Sequence, residues 1–335
     1  MIFSREKWNN GDEIKEFVKV SSALSFTMME TPLQDAFRLY VSSLLGAEMA
    51  EKVIEIYNAD APSQPTDEDK RNLQLLKLCQ RANANLAFYY DFDEINTRIT
   101  DAGFQRQESE NSTFKQTYKY QEDNLRNGFK NKGFNALDTL LEFLYDNIPS
   151  YPEFKESGAY IAYKNSIVKS AKDINEIFFI NSSRLIFLRM QSHLQYAEDM
   201  FLVPTISEKL TEQLHAWLND DTLSDDEKKK IEKLRKACSH YICAIAIKRI
   251  LMETGSLTDR GLFFTSIEAS QVGNENIKPV DTDRISVQIQ NMQCDIDAYQ
   301  NNLVRLIRIS YPEYYTGNPA QTFDRDNDCK QTFFA

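Results

Sequence analysis

Apolar residues recur at three- and four-residue spacing along most of the chain, the pattern of helices with one buried face. The pattern predicts a helix near 30–44, a break at Leu45-Gly46 and a second helix over 47–58. An acidic loop then leads to Thr66 and Asp69, which stand at capping-box spacing ahead of a long apolar-rich helix over 67–97. That helix is expected to end at a Thr-Asp-x-Gly turn, where glycine suits a backbone position of positive φ. The alternating stretch 104–118 has the character of a short strand or hairpin. A last long helix covers 119–147, and Leu137, Leu140, Leu141, Leu144 and Ile148 mark its buried face.

The same series then occurs again. Laying residues 17–60 on 178–221 leaves twelve of the 44 positions identical, among them Phe17/Phe178, Ser21/Ser182, Phe26/Phe187, Leu33/Leu194, Ala36/Ala197 and Asn58/Asn219. Other positions exchange one apolar residue for another: Leu39/Met200, Tyr40/Phe201, Val41/Leu202, Met49/Leu210 and Val53/Leu214. Downstream blocks stay collinear. Thr66 to Cys79 meets Ser224 to Cys238, Thr100-Asp101-Ala102-Gly103 meets Thr258-Asp259-Arg260-Gly261, and Ser150-Tyr151-Pro152-Glu153 meets Ser310-Tyr311-Pro312-Glu313. The second series predicts helices over 183–203, 207–219, 225–253 and 281–309, with a break at Val203-Pro204 and a strand or hairpin over 262–272.

The expected fold class is therefore mainly α: two tandem homologous helical-bundle units, each with a short β-strand or hairpin. Residues 1–157 form the first unit, 158–315 the second, and 316–335 a mobile C-terminal tail, with a short helix within 155–176 joining the units.

Composition supports long helices. Of 335 residues only 10 are Gly and 9 Pro, too few for a many-stranded sandwich or barrel. No apolar run is long enough to span a membrane, and the start MIFSREKWNNGDE has no signal-peptide core. Both point to a cytoplasmic product. The net charge of −11 argues against nucleic-acid binding, which needs a basic surface. The one dense basic run, Lys228 to Lys230 with Lys233, Arg235 and Lys236, follows Asp225-Asp226-Glu227 and reads as i, i+3 and i, i+4 pairing on a helix. Five widely spaced cysteines suggest reduced thiols rather than a disulfide framework.

Chemistry is scarce. His193, His215 and His240 stand apart and form no zinc spacing, and no phosphate-cradling glycine loop exists. Asp91, Asp93 and Glu94 are the best carboxylate cluster, but Asp91 and Asp93 point to different faces of a helix. Asp101 and Asp259 read as turn residues. No catalytic residue, cofactor or metal is expected. Abundant Phe (21) and Tyr (16) instead suggest contact surfaces. Phe104, Phe263 and Phe264 in the alternating stretches, and Phe333-Phe334 at the C-terminus, are the candidate interaction residues.

Several segments are similar to an uncharacterised helical family of gut bacteria (Bacteroides-type) and their phages. They are RANANLAFYYDFDEINTRITDAGF (81–104), YKYQEDNLRNGFKNKGFNALDTLLEFL (118–144), INSSRLIFL (180–188) and the two Ser-Tyr-Pro-Glu closures. The family's Pro-Leu-Leu-Gly turn is altered here: Ser43 replaces its Pro in the first unit, and the second unit lacks its Gly. The resemblance implies a gene among those for virion structure and assembly, and hence a non-enzymatic, head–tail connector-like structural protein. It carries over no site residues. The expected partners are other virion or assembly proteins or further copies of the chain, in the host cytoplasm or within a phage particle. A cellular helical scaffold or regulatory module is the alternative, and a carboxylate- or metal-dependent enzyme comes behind it.

Overall fold

The computed structural model describes residues 1–315 apart from 22–23, 61, 63, 96, 101–102, 107–117, 181, 221, 255–256, 259–260, 263–265, 270–274 and 279–281. The tail expected over 316–335 lies outside the described residues. The first unit is carried by α1 (Phe26–Ala36), α2 (Ala47–Asn58), α3 (Asp67–Tyr90) and α4 (Lys119–Asp146). A linking helix, α5 (Gly158–Asn165), leads to the second unit. Its helices are α6 (Arg184–Ala197), α7 (Glu208–Leu218), α8 (Asp225–Thr254) and α9 (Thr282–Ser310).

Each unit wraps its other elements around one central helix. In α3 every residue from Ala82 to Phe88 is buried, and in α8 every residue from Tyr241 to Ile247. These two runs occupy the same place in the repeat. A helix buried on all sides must have neighbours all round it, and α4 and α9 supply the largest contact in their respective units. Small residues let the helices approach closely. A Cβ added to Gly133 on α4 would lie 2.5 Å from Leu86 Cγ on α3. The N-terminal segment closes the first core: Ile2 and Phe3 are fully buried, Gln80 Nε2 donates to the Ile2 carbonyl at 2.9 Å, and Trp8 Nε1 donates to the Leu24 carbonyl at 2.9 Å.

The duplication is visible element by element. Both long central helices begin with the expected capping box. Thr66 Oγ1 accepts from the Asp69 amide while the Asp69 carboxylate accepts from the Thr66 amide, and Ser224 and Glu227 repeat this reciprocal pair. The Ser-Tyr-Pro-Glu closures form matching short 3-10 turns, Pro152–Glu156 and Pro312–Tyr314.

The first helix of each unit does not simply stop. It passes into a π-helical segment, Phe37–Ser42 in one unit and Glu198–Leu202 in the other. Each segment continues into a short helical stretch that ends on a positive-φ residue. Gly46 has φ 80 and ψ 165, and Ser207 has φ 78 and ψ 147. The break expected at Val203-Pro204 therefore falls at Ser207, because Pro204 sits in the opening turn of the helical piece Val203–Ile206, where its missing N–H costs nothing. The altered second turn keeps the backbone of the first without its glycine.

The expected fold class needs correction. Among the described residues the cores are helical, and the strand or hairpin expected in each unit is not a layer of either bundle. Among the described residues, every buried side chain of both cores lies on a helix, an interhelical turn or the N-terminal segment. The only extended pairings among the described residues are two-stranded local ladders of two to four residues a side: 97–100 with 103–106, 257–258 with 261–262, and 266–269 with 275–278. None is joined to a third strand, and a pair without a third strand is not an independent structural layer. β-propensity alone misled the reading, since it measures fit to a pleated, half-buried surface that these bundles do not offer. The long helix predicted to run to residue 97 also ends earlier, at Tyr90.

The two cores meet at a seam. α4 packs on α6, and α5 on α7. Arg184 Nη1 donates to Asp138 Oδ1 at 2.9 Å, Lys172 pairs with Glu142 at 2.6 Å, and Asn219 Nδ2 donates to Asn165 Oδ1 at 3.1 Å.

Candidate interaction surfaces

The first π segment turns Phe37 and Val41 inward and Arg38 and Leu39 outward. Leu39 is exposed, and Tyr40 lies half-buried with its ring edge-on to Tyr90 (6.4 Å) and Phe134 (5.9 Å). Met28 and Tyr90 are exposed beside it, Met28 on the face of α1 that runs through Asp35 to Leu39 at helical spacing. One edge of this surface is acidic. Asp91, the residue that ends α3, has its carboxyl held above the usual range by burial and by the nearby charges of Glu94 and Asp35. Asp35 also accepts from Arg38 at 3.1 Å.

The second π segment repeats the outward apolar pair. Met200 is 57 % and Phe201 40 % exposed, at the positions equivalent to Leu39 and Tyr40. Phe201 meets Tyr196 edge-on at 6.0 Å, and the Arg249 guanidinium lies 3.7 Å from the centre of the Tyr196 ring. Arg189 continues the same face of α6 at helical spacing and is exposed. Asp199 accepts from Gln195 at 2.9 Å. Of the five apolar exchanges seen in the sequence, Val41/Leu202, Met49/Leu210 and Val53/Leu214 are buried, whereas Leu39/Met200 face outward in both units and Tyr40/Phe201 only partly inward. A period of 3.6 residues per turn does not separate these two classes. A π turn holds more and rotates the following residues out of register. The retained offset was the one available signal.

A cleft of about 950 Å³ lies along the seam, between Tyr145, Asp138 and Glu142 on α4, Tyr163 on α5 and Arg184 on α6. Tyr145 and Tyr163 stack at 3.8 Å. Lys169 donates to the carbonyls of Tyr163 and Lys164 at the end of α5, and burial, with Arg235 nearby, lowers its ammonium to about 8. Arg235 donates to Glu232 at 2.7 Å, to Asp173 at 3.1 Å and to the Ile167 carbonyl at 2.6 Å. The charged groups of the cleft are thus engaged in holding segments together. Burial also keeps the Asp138 carboxyl above its ordinary range despite Arg184.

The aromatic sequence candidates are not among the residues of these surfaces that the structure describes. Phe104 belongs to the ladder 103–106, with its side chain outside the described residues; Phe263, Phe264, Phe333 and Phe334 lie outside them altogether. Of the three sequence carboxylates, Glu94 lies near Asp91, whereas Asp93 is engaged by Arg126 at 3.0 Å. Among the described residues no group of His, Cys, Asp and Glu is arranged to hold a metal ion, and no helix is long and apolar enough to cross a membrane.

Two bundles in tandem, each with its π segment and positive-φ turn, define the class: an internally duplicated helical protein. The chain belongs to a family of unknown function, DUF6712, whose model matches residues 41–164 and again 202–323. The double match meets the repeat seen in the sequence and in the helices. No curated protein and no solved structure matches the chain.

Proposed function

We propose that the protein is a non-enzymatic assembly component that works by protein–protein contact, in the setting its resemblance implies: phage or prophage virion assembly at a head–tail connector-like position. The observation that carries the contact reading is the outward Leu39 and Met200, each followed by an aromatic residue, half-buried Tyr40 and exposed Phe201, kept at one position of both units. Buried residues survive duplication because the core needs them. Exposed Leu, Met and Phe gain nothing from the core, and Met and aromatic residues are the types enriched where proteins touch.

The test is location. Particles purified on a density gradient from the host that encodes the chain are probed with an antibody against it, then imaged. The expected result is co-sedimentation with the particles at a fixed copy number and labelling at one vertex. A chain found only in the soluble fraction, with particles intact and free of it, overturns the virion reading.

A further inference from the structure

The two π surfaces share their apolar pair but differ in charge. At the first, Asp91 directly follows Tyr90, whose ring meets Tyr40 of the π segment at 6.4 Å, Glu94 lies three residues on, and Asp35 stands one helical turn before Leu39. At the second, the equivalent of Tyr90 is Arg249, stacked on Tyr196, and the equivalent of Met28 is Arg189. Arg38, which pairs with Asp35 on the first surface, is Asp199 on the second, so each rim also carries one charge of the other sign. An apolar centre with oppositely charged rims is the arrangement that steers a specific docking and rejects like-on-like contact.

We infer that the first π surface of one copy of the chain docks on the second π surface of another copy. The inference rests on the contact reading above and names the partner. The rims are unbalanced in opposite senses: the first carries Asp35, Asp91 and Glu94 against Arg38, and the second Arg189 and Arg249 against Asp199, so like-on-like contact opposes the excess charge of each. Two unlike surfaces on one chain make a heterologous contact, so each copy keeps one of each free for the next. Such a contact closes into a ring or extends into a filament. Repetition of the intrachain seam is the competing way to join copies. It lacks its ion pair, because Ala23 stands in the first unit at the position of Arg184 in the second.

Sedimentation velocity of the full chain over a wide concentration range tests this. The wild type is expected to gain mass with concentration and to lose it as salt is added, since exposed charge pairs are screened. Arg249→Glu and Asp91→Lys, each checked for an unchanged circular dichroism spectrum and melting profile, are each expected to weaken association by about tenfold or more. An equimolar mixture of the two variants is expected to recover it, because the lysine introduced on the first surface of one then meets the glutamate introduced on the second surface of the other. Met200→Ser is expected to weaken association with no charge altered. A wild type that stays monomeric overturns the inference, as does association that neither charge variant changes, or a mixture that fails to recover. A monomeric chain that is still found in particles sinks this inference and leaves the proposed function standing. A self-associating chain absent from particles does the reverse.

Discussion

Gly133 and Gly128 lie five residues apart on α4 and answer the same substitution in opposite ways. A Cβ at Gly133 would meet Leu86 Cγ at 2.5 Å and Cδ2 at 2.6 Å, at the closest approach of the two main helices of the first unit. A Cβ at Gly128 would meet nothing within 4 Å. Gly133→Ala is expected to destabilise by about 1–2 kcal/mol, the overpacking cost less the helix-propensity gain. Gly128→Ala is expected to stabilise by roughly 0.5–1 kcal/mol. Urea unfolding of both variants checks the pair, and equal signs would contradict the packing described. Nothing in the sequence separates these glycines, because the distinction lies in a partner more than forty residues away. The capping boxes at Thr66 and Ser224 were legible because donor and acceptor lie three residues apart. Exposure of Leu39 and Met200 was not, since it depends on a change of helical pitch that composition does not encode.

The turn that follows each π segment poses a sharper question at the level of elements. Gly46 takes its positive φ without steric cost, and its missing side chain leaves room for Ser157, which caps α5 by accepting from the Tyr160 amide at 3.1 Å. Ser207 holds a nearly identical conformation with a side chain, and its hydroxyl accepts from the Leu210 amide at 3.4 Å. A non-glycine residue there costs about 1–3 kcal/mol, whereas replacing a serine cap by glycine loses only a few tenths. Ser207→Gly is therefore expected to raise stability by about 1 kcal/mol. Gly46→Ala is expected to lower it by about 2 kcal/mol or more, because strain is added to a contact of 3.2 Å with Ser157 Cα and Cβ. Thermal melting of the two variants decides the matter; a destabilised Ser207→Gly would mean that its cap outweighs the strain. The sequence showed the glycine missing from the second copy but not that the fold would keep the conformation. The hairpins expected in each unit did not become part of the architecture for a related reason: a local preference yields a layer only when neighbours complete it, and the pairings among the described residues stay two-stranded.

Across the whole molecule the helical order and the duplication were readable from the offset alone, whereas the seam between units was not, since its pairs join residues far apart in the chain. Arg184, only 11 % exposed in its side chain, and half-buried Asp138 form its ionic centre. Burial already works against the Asp138 charge, so removing Arg184 alone leaves that carboxylate uncompensated beside Glu142. Arg184→Met is expected to cost about 2 kcal/mol. The double variant Arg184→Met with Asp138→Leu is expected to come back to within about 1 kcal/mol of the wild type, as apolar replacements of paired charges commonly do. Chemical denaturation of the three proteins tests the cycle, and a double variant as weak as the single would mean that the pair itself stabilises the seam. The second unit carries an arginine at its front (Arg184), where the first has Ala23. The latch is therefore directional: a second-type front closes on the aspartate at a first-type back, whereas a first-type front would bring it no arginine.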